Sequence, residues 1–167
     1  MTGIDLRKVS VKPMREEQVQ EVARIGSLCF SGLRNPEGGK RWIECNFHAY
    51  PRMQYFVAMC GGVVLGYILW MEKGGFREQA VLELEQIGVL KDYRGNGIGT
   101  KLVKDSFEEM KRCIKARGSE LKLVEVSTGT ENDAQKLYAK TLGAKPECVI
   151  KDLYREDEVL MIARFQE

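Results

Sequence analysis

From Lys8 to Lys12 polar and apolar positions alternate, and "LRKVSVKP" predicts a short first strand ended by Pro13, which lacks a backbone donor. The stretch that follows, to Phe30, sets Val19, Val22, Ala23, Gly26, Cys29 and Phe30 at helical spacing and predicts one amphipathic helix. "SGLRNPEGGK" reads as a loop from its Gly, Pro and Asn content, and "KRWIECNFHAY" as a short second helix closed off before Pro51. Residues 55–70, "YFVAMCGGVVLGYILW", hold no charge over 16 positions. That run is shorter than the ~20 residues a helix needs to cross a bilayer. Gly61-Gly62 divides it into two halves rich in β-branched and aromatic residues, so it predicts a hairpin of two buried strands.

"AVLELEQIGVL" (80–90) alternates again and predicts a strand running straight into the glycine-rich "KDYRGNGIG". From Thr100 to Arg117 the residues Leu102, Val103, Phe107, Met110 and Ile114 line one helical stripe, with Gly118 placed to end it. "ELKLVEVST" is the next strand. Thr130 and Asp133 have the spacing of a capping box for a helix holding Ala134, Leu137, Tyr138 and Leu142 and closed by Gly143. "ECVIKDLY" and "EVLMIARF" finish as two strands, so the order is β-α-α-β-β-β-α-β-α-β-β with no repeat or linker.

A chain of 167 residues, 44% of them hydrophobic, has the size of a single domain with its own core, spanning residues 1–167. With 26 basic against 24 acidic side chains the formal charge is +2, so no net field draws the protein to nucleic acid or a membrane, and neither is expected as a partner. The N-terminus is too polar for a secretory signal. The five cysteines, at 29, 45, 60, 113 and 148, include no C-x-x-C pair, and the single histidine, His48, completes no familiar zinc set with them. They read as reduced, mostly buried thiols of a cytoplasmic protein, with no metal site.

The glycine loop fails two phosphate-binding patterns. Gly95 and Gly97 are followed by Thr100 where a dinucleotide fingerprint needs its third glycine, and Gly99-Thr100-Lys101 reverses the Lys-Ser/Thr order of a Walker A loop. What remains is Arg94-x-x-Gly97-x-Gly99 opening a helix. Residues without Cβ let successive amides face one concavity, and a helix N-terminus adds partial positive charge; together these suit a pyrophosphate. The plainer alternative is a strand-to-helix turn that binds nothing.

"VLKDYRGNGIGTKLV" resembles the acyl-CoA binding motif, Q/R-x-x-G-x-G/A, of the Gcn5-related N-acetyltransferase (GNAT) family, and "LVEVSTGTENDAQKLYAKTLGA" resembles the family's second signature of strand, helix and L-Y-x-x-x-G. The two stand in the family's order, and the resemblance covers essentially the whole chain. It implies an α/β (α+β) GNAT fold, a single mixed, largely antiparallel sheet of about seven strands flanked by about four helices. It implies acetyl-CoA as donor and N-acetyl transfer to a primary amine of a small molecule by direct attack in a ternary complex. A protein lysine or N-terminal acetyltransferase, and a non-catalytic CoA-binding module, are the alternatives, and a homodimer is left open.

The resemblance also assigns residues. Ile87 and Val89, at the strand end, would meet the pantetheine arm, with the Val89 amide facing the thioester oxygen. Arg94, Gly95, Asn96, Gly97, Ile98, Gly99 and Thr100 would hold the pyrophosphate through their amides. Tyr138 falls on the L-Y position, where the family uses the phenol as general acid toward the departing thiolate; the alternative is a core aromatic. Where the family usually has Asn, this chain has Glu131 with Asn132 beside it, a departure from the pattern that leaves Asn132 as the candidate for the cofactor contact. Gly143-Ala144 replaces the usual Gly-Phe, and Gly-Ala occurs in the polyamine acetyltransferase branch, whose loops resemble "KDYRGNGIG".

Attack on a thioester needs a neutral amine, so a base must remove a proton. Glu83 and Glu85 are two apart, hence on one strand face with Val81, Ile87 and Val89. Two carboxylates that close raise one another's pKa and attract a cationic amine. Glu83 matches the histone-type catalytic glutamate, Glu85 the glutamate of polyamine-type members, and Glu125 the base of some ribosomal-protein N-terminal acetyltransferases. Ordinary strand-surface charge is the alternative for all three.

Overall fold

The computed structural model describes residues 4–165. Seven strands and four helices follow the expected order: β1 (Ser10–Pro13), α1 (Val19–Cys29), α2 (Pro36–Phe47), β2 (Met53–Cys60), β3 (Val63–Lys73), β4 (Gln79–Val89), α3 (Ile98–Ala116), β5 (Glu120–Gly129), α4 (Ala134–Leu142), β6 (Lys145–Ile150) and β7 (Glu158–Arg164). The strands form one mixed sheet in the order β1-β2-β3-β4-β5-β7-β6. β4 and β5 run parallel, while β1 with β2, β5 with β7 and β7 with β6 are antiparallel. The outer strands are β1, which ends at Pro13, and β6, which is exposed along its whole length and shifts register between Pro146 and Cys148.

The expected hairpin turn is present. Gly61 and Gly62 have φ of 56° and 82°, values that suit the two central positions of a tight turn and that L side chains rarely adopt.

Several local expectations are corrected. Leu6–Lys8 forms a 3₁₀ turn ahead of β1, and the strand read over "ECVIKDLY" ends at Ile150, with residues 151–156 in a turn. α2 begins at Pro36, inside the segment read as a loop, because Asn35 Oδ1 accepts hydrogen bonds from the amides of Glu37 and Gly38 at 3.1 Å each and Pro36 has its φ preset for the first helical turn. Gly39, which made that segment look irregular, sits where a Cβ would come within 2.7 Å of the Leu33 carbonyl oxygen; glycine there serves close packing. At α4 the capping box of Thr130 and Asp133 does not form; Asp133 makes no side-chain cap, and Asn132 Oδ1 instead accepts from the Ala134 amide at 2.9 Å.

The described chain packs as two compact units. One comprises the residues up to Trp70 together with Gln86–Phe107. Its fully buried side chains include Ile25 of α1, Ile43 of α2, and Tyr67 and Trp70 of β3. The Trp70 ring stacks on Phe107 at 5.6 Å between centroids, and its indole N–H donates to Ser106 Oγ at 2.8 Å, so the polar edge of the largest core residue is satisfied.

The other unit comprises Met71–Glu85 and the chain from Glu108 onward. There Val124 and Val126 of β5 pair with Ala163 and Met161 of β7, all four buried. Glu72, 3% exposed, is held by both terminal nitrogens of Arg117, whose guanidinium also covers the Phe76 ring at 5.0 Å.

All five cysteines are free, but none is buried: Cys29, Cys60 and Cys113 are half-exposed, and Cys45 and Cys148 are exposed. Cys60 ends β2, Cys148 lies on the outer strand β6, and Cys45 sits between the buried Ile43 and Asn46 of α2, off its inward face.

Candidate active site

In the first unit, β4 ends at Val89, and the Leu90 amide bonds the Leu65 carbonyl at 2.9 Å. A single 3₁₀ turn, Lys91–Tyr93, leads into the glycine loop. Gly95 and Gly97 take φ of 75° and 80°, and a Cβ on Gly97 would lie 2.9 Å from Leu6 Cδ1. The Asn96 amide group braces the turn, donating to the Tyr93 and Arg94 carbonyls at 3.2 Å each. Ile98, 1% exposed, anchors the start of α3, and the Lys101 amide makes a bond to the Gly97 carbonyl at 3.0 Å. The amides of Ile98, Gly99 and Thr100 belong to a first helical turn and so have no acceptor within the helix. A positive-φ loop with nothing crowding Gly95, delivering free amides at a helix N-terminus, fits a pyrophosphate.

Arg94 behaves in a way the motif did not indicate. Its Nε donates to the Val89 carbonyl at 2.8 Å and its Nη2 approaches Cys29 Sγ at 3.6 Å, while the Cys29 thiol lies 3.7 Å from the same carbonyl. The guanidinium thus ties the loop back to the end of β4. Cys29, the last residue of α1, had only its place in an apolar stripe to signal it.

Alternation along β4 is as expected. Ala80, Leu82 and Leu84 are buried, and Val81, Glu83, Glu85, Ile87 and Val89 share the half-open face.

In the second unit, the carboxylate directly across from Glu83 is Glu125, its register partner on β5. Lys73, the last residue of β3, reaches both: its Nζ lies 3.0 Å from Glu83 Oε2 and makes a very short contact with Glu125 Oε1. Burial pulls the lysine pKa down, but hydrogen bonds to Glu125 and Glu83 outweigh it and raise the value, so the group stays an ammonium. The repulsion between close carboxylates is therefore offset here by a cation. Nothing in the sequence pointed to Lys73, because its pairing depends on the register of three strands.

Tyr138, on α4, is 5% exposed. Burial, and then the charge of Glu158, push its phenol up to about 12. Glu158, itself 8% exposed at the start of β7, has its carboxyl raised by burial and by Glu156. The phenol is thus held in its proton-bearing form throughout the neutral range. Asn132 and Glu131 are exposed before α4, with the Asn132 side chain engaged as the helix cap. Among the described residues no group of three or more His, Cys, Asp and Glu side chains is placed to hold a metal, and no helix is long and apolar enough to cross a membrane.

Residues 19–144 match the model of the Acetyltransferase (GNAT) family. The chain is 36% identical over 166 residues to an N-alpha-acetyltransferase of Sulfurisphaera tokodaii, covering 94% of this chain and 93% of that protein. It is 32% identical over 123 residues to an uncharacterized N-acetyltransferase of Methanocaldococcus jannaschii, a match spanning 70% of this chain and 51% of that protein's length. Among solved structures, Ard1 from Thermoplasma volcanium superimposes with a TM-score of 0.74 at 15% identity, covering 96% of this chain and 99% of that one. Arabidopsis thaliana Naa50, in complex with a bisubstrate analogue CoA-Ac-MVNAL, gives 0.73 at 18% identity, covering 95% and 99%. These two likenesses bear on the fold, a seven-stranded mixed sheet with four helices. With a matching family model over three quarters of its length and the loop, strand and helix of both signatures in place, the chain belongs to the GNAT family of acetyltransferases.

Proposed function

We propose that the protein transfers the acetyl group of acetyl-CoA to the α-amine of a peptide or protein N-terminus, by direct attack in a ternary complex, as a single transferase domain in the cytoplasm. The observation behind the choice of acceptor is Lys73. A site that captures polyamines by charge needs unspent carboxylates, and the Glu83–Glu125 pair is already spanned by an ammonium. The name of the Sulfurisphaera tokodaii relative, aligned over nearly the whole of both chains, supports the same reading.

When bound, acetyl-CoA supplies an electrophilic thioester carbonyl. The amides at the start of α3 would hold its pyrophosphate, and the Val89 amide at the end of β4 would be available to the thioester oxygen. Glu85, or a water it holds, takes a proton from the acceptor ammonium, with Glu83 supporting it. Tyr138 would supply its phenolic proton to the departing sulfur.

A second reading, acetylation of a small amine such as a polyamine, is favoured by Gly143-Ala144 and by the wording of the loop "KDYRGNGIG". An acceptor screen with acetyl-CoA, read by thiol release, separates the two. Short peptides with free N-termini are expected to give higher kcat/KM than polyamines, amino acids or aminoglycosides. A polyamine preferred over every peptide replaces the first reading with the second, and coenzyme A binding without transfer to any amine leaves a binding module.

A further inference from the structure

We infer that Lys73 is a specificity-determining residue: its ammonium fills the notch between Glu83 and Glu125 and so turns the site away from acceptors with a second positive charge near the reacting amine. The inference rests on the proposed function in one respect, that acceptors approach the half-open face of β4. Its own basis is geometric. Glu83 and Glu125 are register partners on adjacent parallel strands, so their side chains leave the sheet side by side. Both are largely shielded, at 18% and 20% side-chain exposure, whereas Lys73 is 41% exposed. The two carboxylates thus form the floor and the lysine forms the removable part.

A primary ammonium held between two carboxylates is the arrangement expected for recognition of a lysine-like or polyamine-like cation, and here the chain supplies that cation itself. With two acids and one base the cluster keeps one net negative charge, yet the position with the best contacts to both carboxylates is taken. A cationic acceptor arriving at this face gains little from the floor and meets the lysine's own charge first. An acceptor whose only charge is the reacting amine meets no such penalty. Discrimination of this kind, by a repulsive group placed where the unwanted ligand would sit, is a difference of affinities and not a gain in overall binding.

The test uses Lys73→Met, which keeps the apolar stem and removes the charge, and Lys73→Arg, which keeps the charge. For each protein, kcat/KM is measured with two peptides that differ only in lysine or norleucine at the second position, and with spermidine. Lys73→Met is expected to shift the ratio of cationic to neutral acceptors upward by about fivefold or more at low salt, the shift is expected to shrink at high salt, and Lys73→Arg is expected to keep the wild-type ratio. A merely structural role for Lys73 would lower activity on all acceptors alike and leave the ratio unchanged, which overturns the inference. Calorimetric titration of spermidine into the wild type and Lys73→Met, each saturated with coenzyme A, reads the same notch without turnover: tighter binding to the variant supports the inference and equal binding overturns it. If the wild type acetylates spermidine and no peptide, the proposed function fails while the calorimetric comparison of the wild type with Lys73→Met still decides the role of Lys73.

Discussion

Replacing Tyr138 by phenylalanine removes one oxygen from a side chain that is 5% exposed and whose phenol is pushed up to about 12 from the ordinary 10.0. Below pH 10 that phenol is protonated in folded and unfolded chains alike and adds nothing to the pH dependence of stability. Between about 10 and 12 the unfolded chain has released a proton that the folded protein still holds, so the folded state loses ground as pH rises. At pH 11 the loss is one unit of linkage, about 1.4 kcal/mol, and it approaches ~2.7 kcal/mol above pH 12. All other groups, including Tyr67, whose phenol burial also raises, are common to both proteins and cancel in the difference. Denaturant unfolding of the wild type and Tyr138→Phe at pH 9 and pH 11 should therefore show the wild type losing about 1.4 kcal/mol more than the variant over that interval. Parallel losses would refute the buried, late-ionising phenol. Turnover supplies the functional half: a general acid is worth ~10²-fold or more in kcat, with little change in the KM for acetyl-CoA. A variant with wild-type kcat, under conditions where chemistry limits, would reduce Tyr138 to a core aromatic.

Gly97→Val places a β-branched residue at φ 80° and drives its Cβ toward Leu6, so it is expected to lower folding stability by ~1–2 kcal/mol and to weaken coenzyme A binding by more than about fivefold in calorimetry; unchanged affinity would remove the loop from the cofactor site. Glu85→Gln is expected to cut turnover at neutral pH, with the loss shrinking as pH rises and free amine becomes available, whereas Glu83→Gln, in contact with Lys73, is expected to act more on acceptor KM than on kcat. If both variants follow the wild-type pH–rate profile throughout, the base is to be sought at Glu125.

The order of elements was legible because each is marked locally: alternation along β4, the helical stripe of α3, the paired glycines between β2 and β3 and the glycines after α3 and α4 all act within a few residues. The start of α2 was not, since Gly38 and Gly39 read as breakers until Asn35 is seen to cap the helix and Leu33 to demand a residue without Cβ. The same boundary divides the site. The loop motif and the carboxylates of β4 are local patterns and were visible. Lys73 between Glu83 and Glu125, and Arg94 folded onto the Val89 carbonyl beside Cys29, depend on strand register and on a helix brought back from 60 residues earlier in the chain, and no local pattern encodes either.

The two outer strands of the sheet set how other chains can approach it. β1 holds Lys12 and ends on Pro13; β6 opens with Lys145 and Pro146 and then slips register before Cys148. A strand from another molecule extending the sheet at either side would meet a missing N–H, a lysine charge and, at β6, a break in the ladder spacing. Strand addition at either edge is thereby disfavoured. The exposed β6 edge is a poorer template for polymerising contacts than a long, flat, unbroken edge.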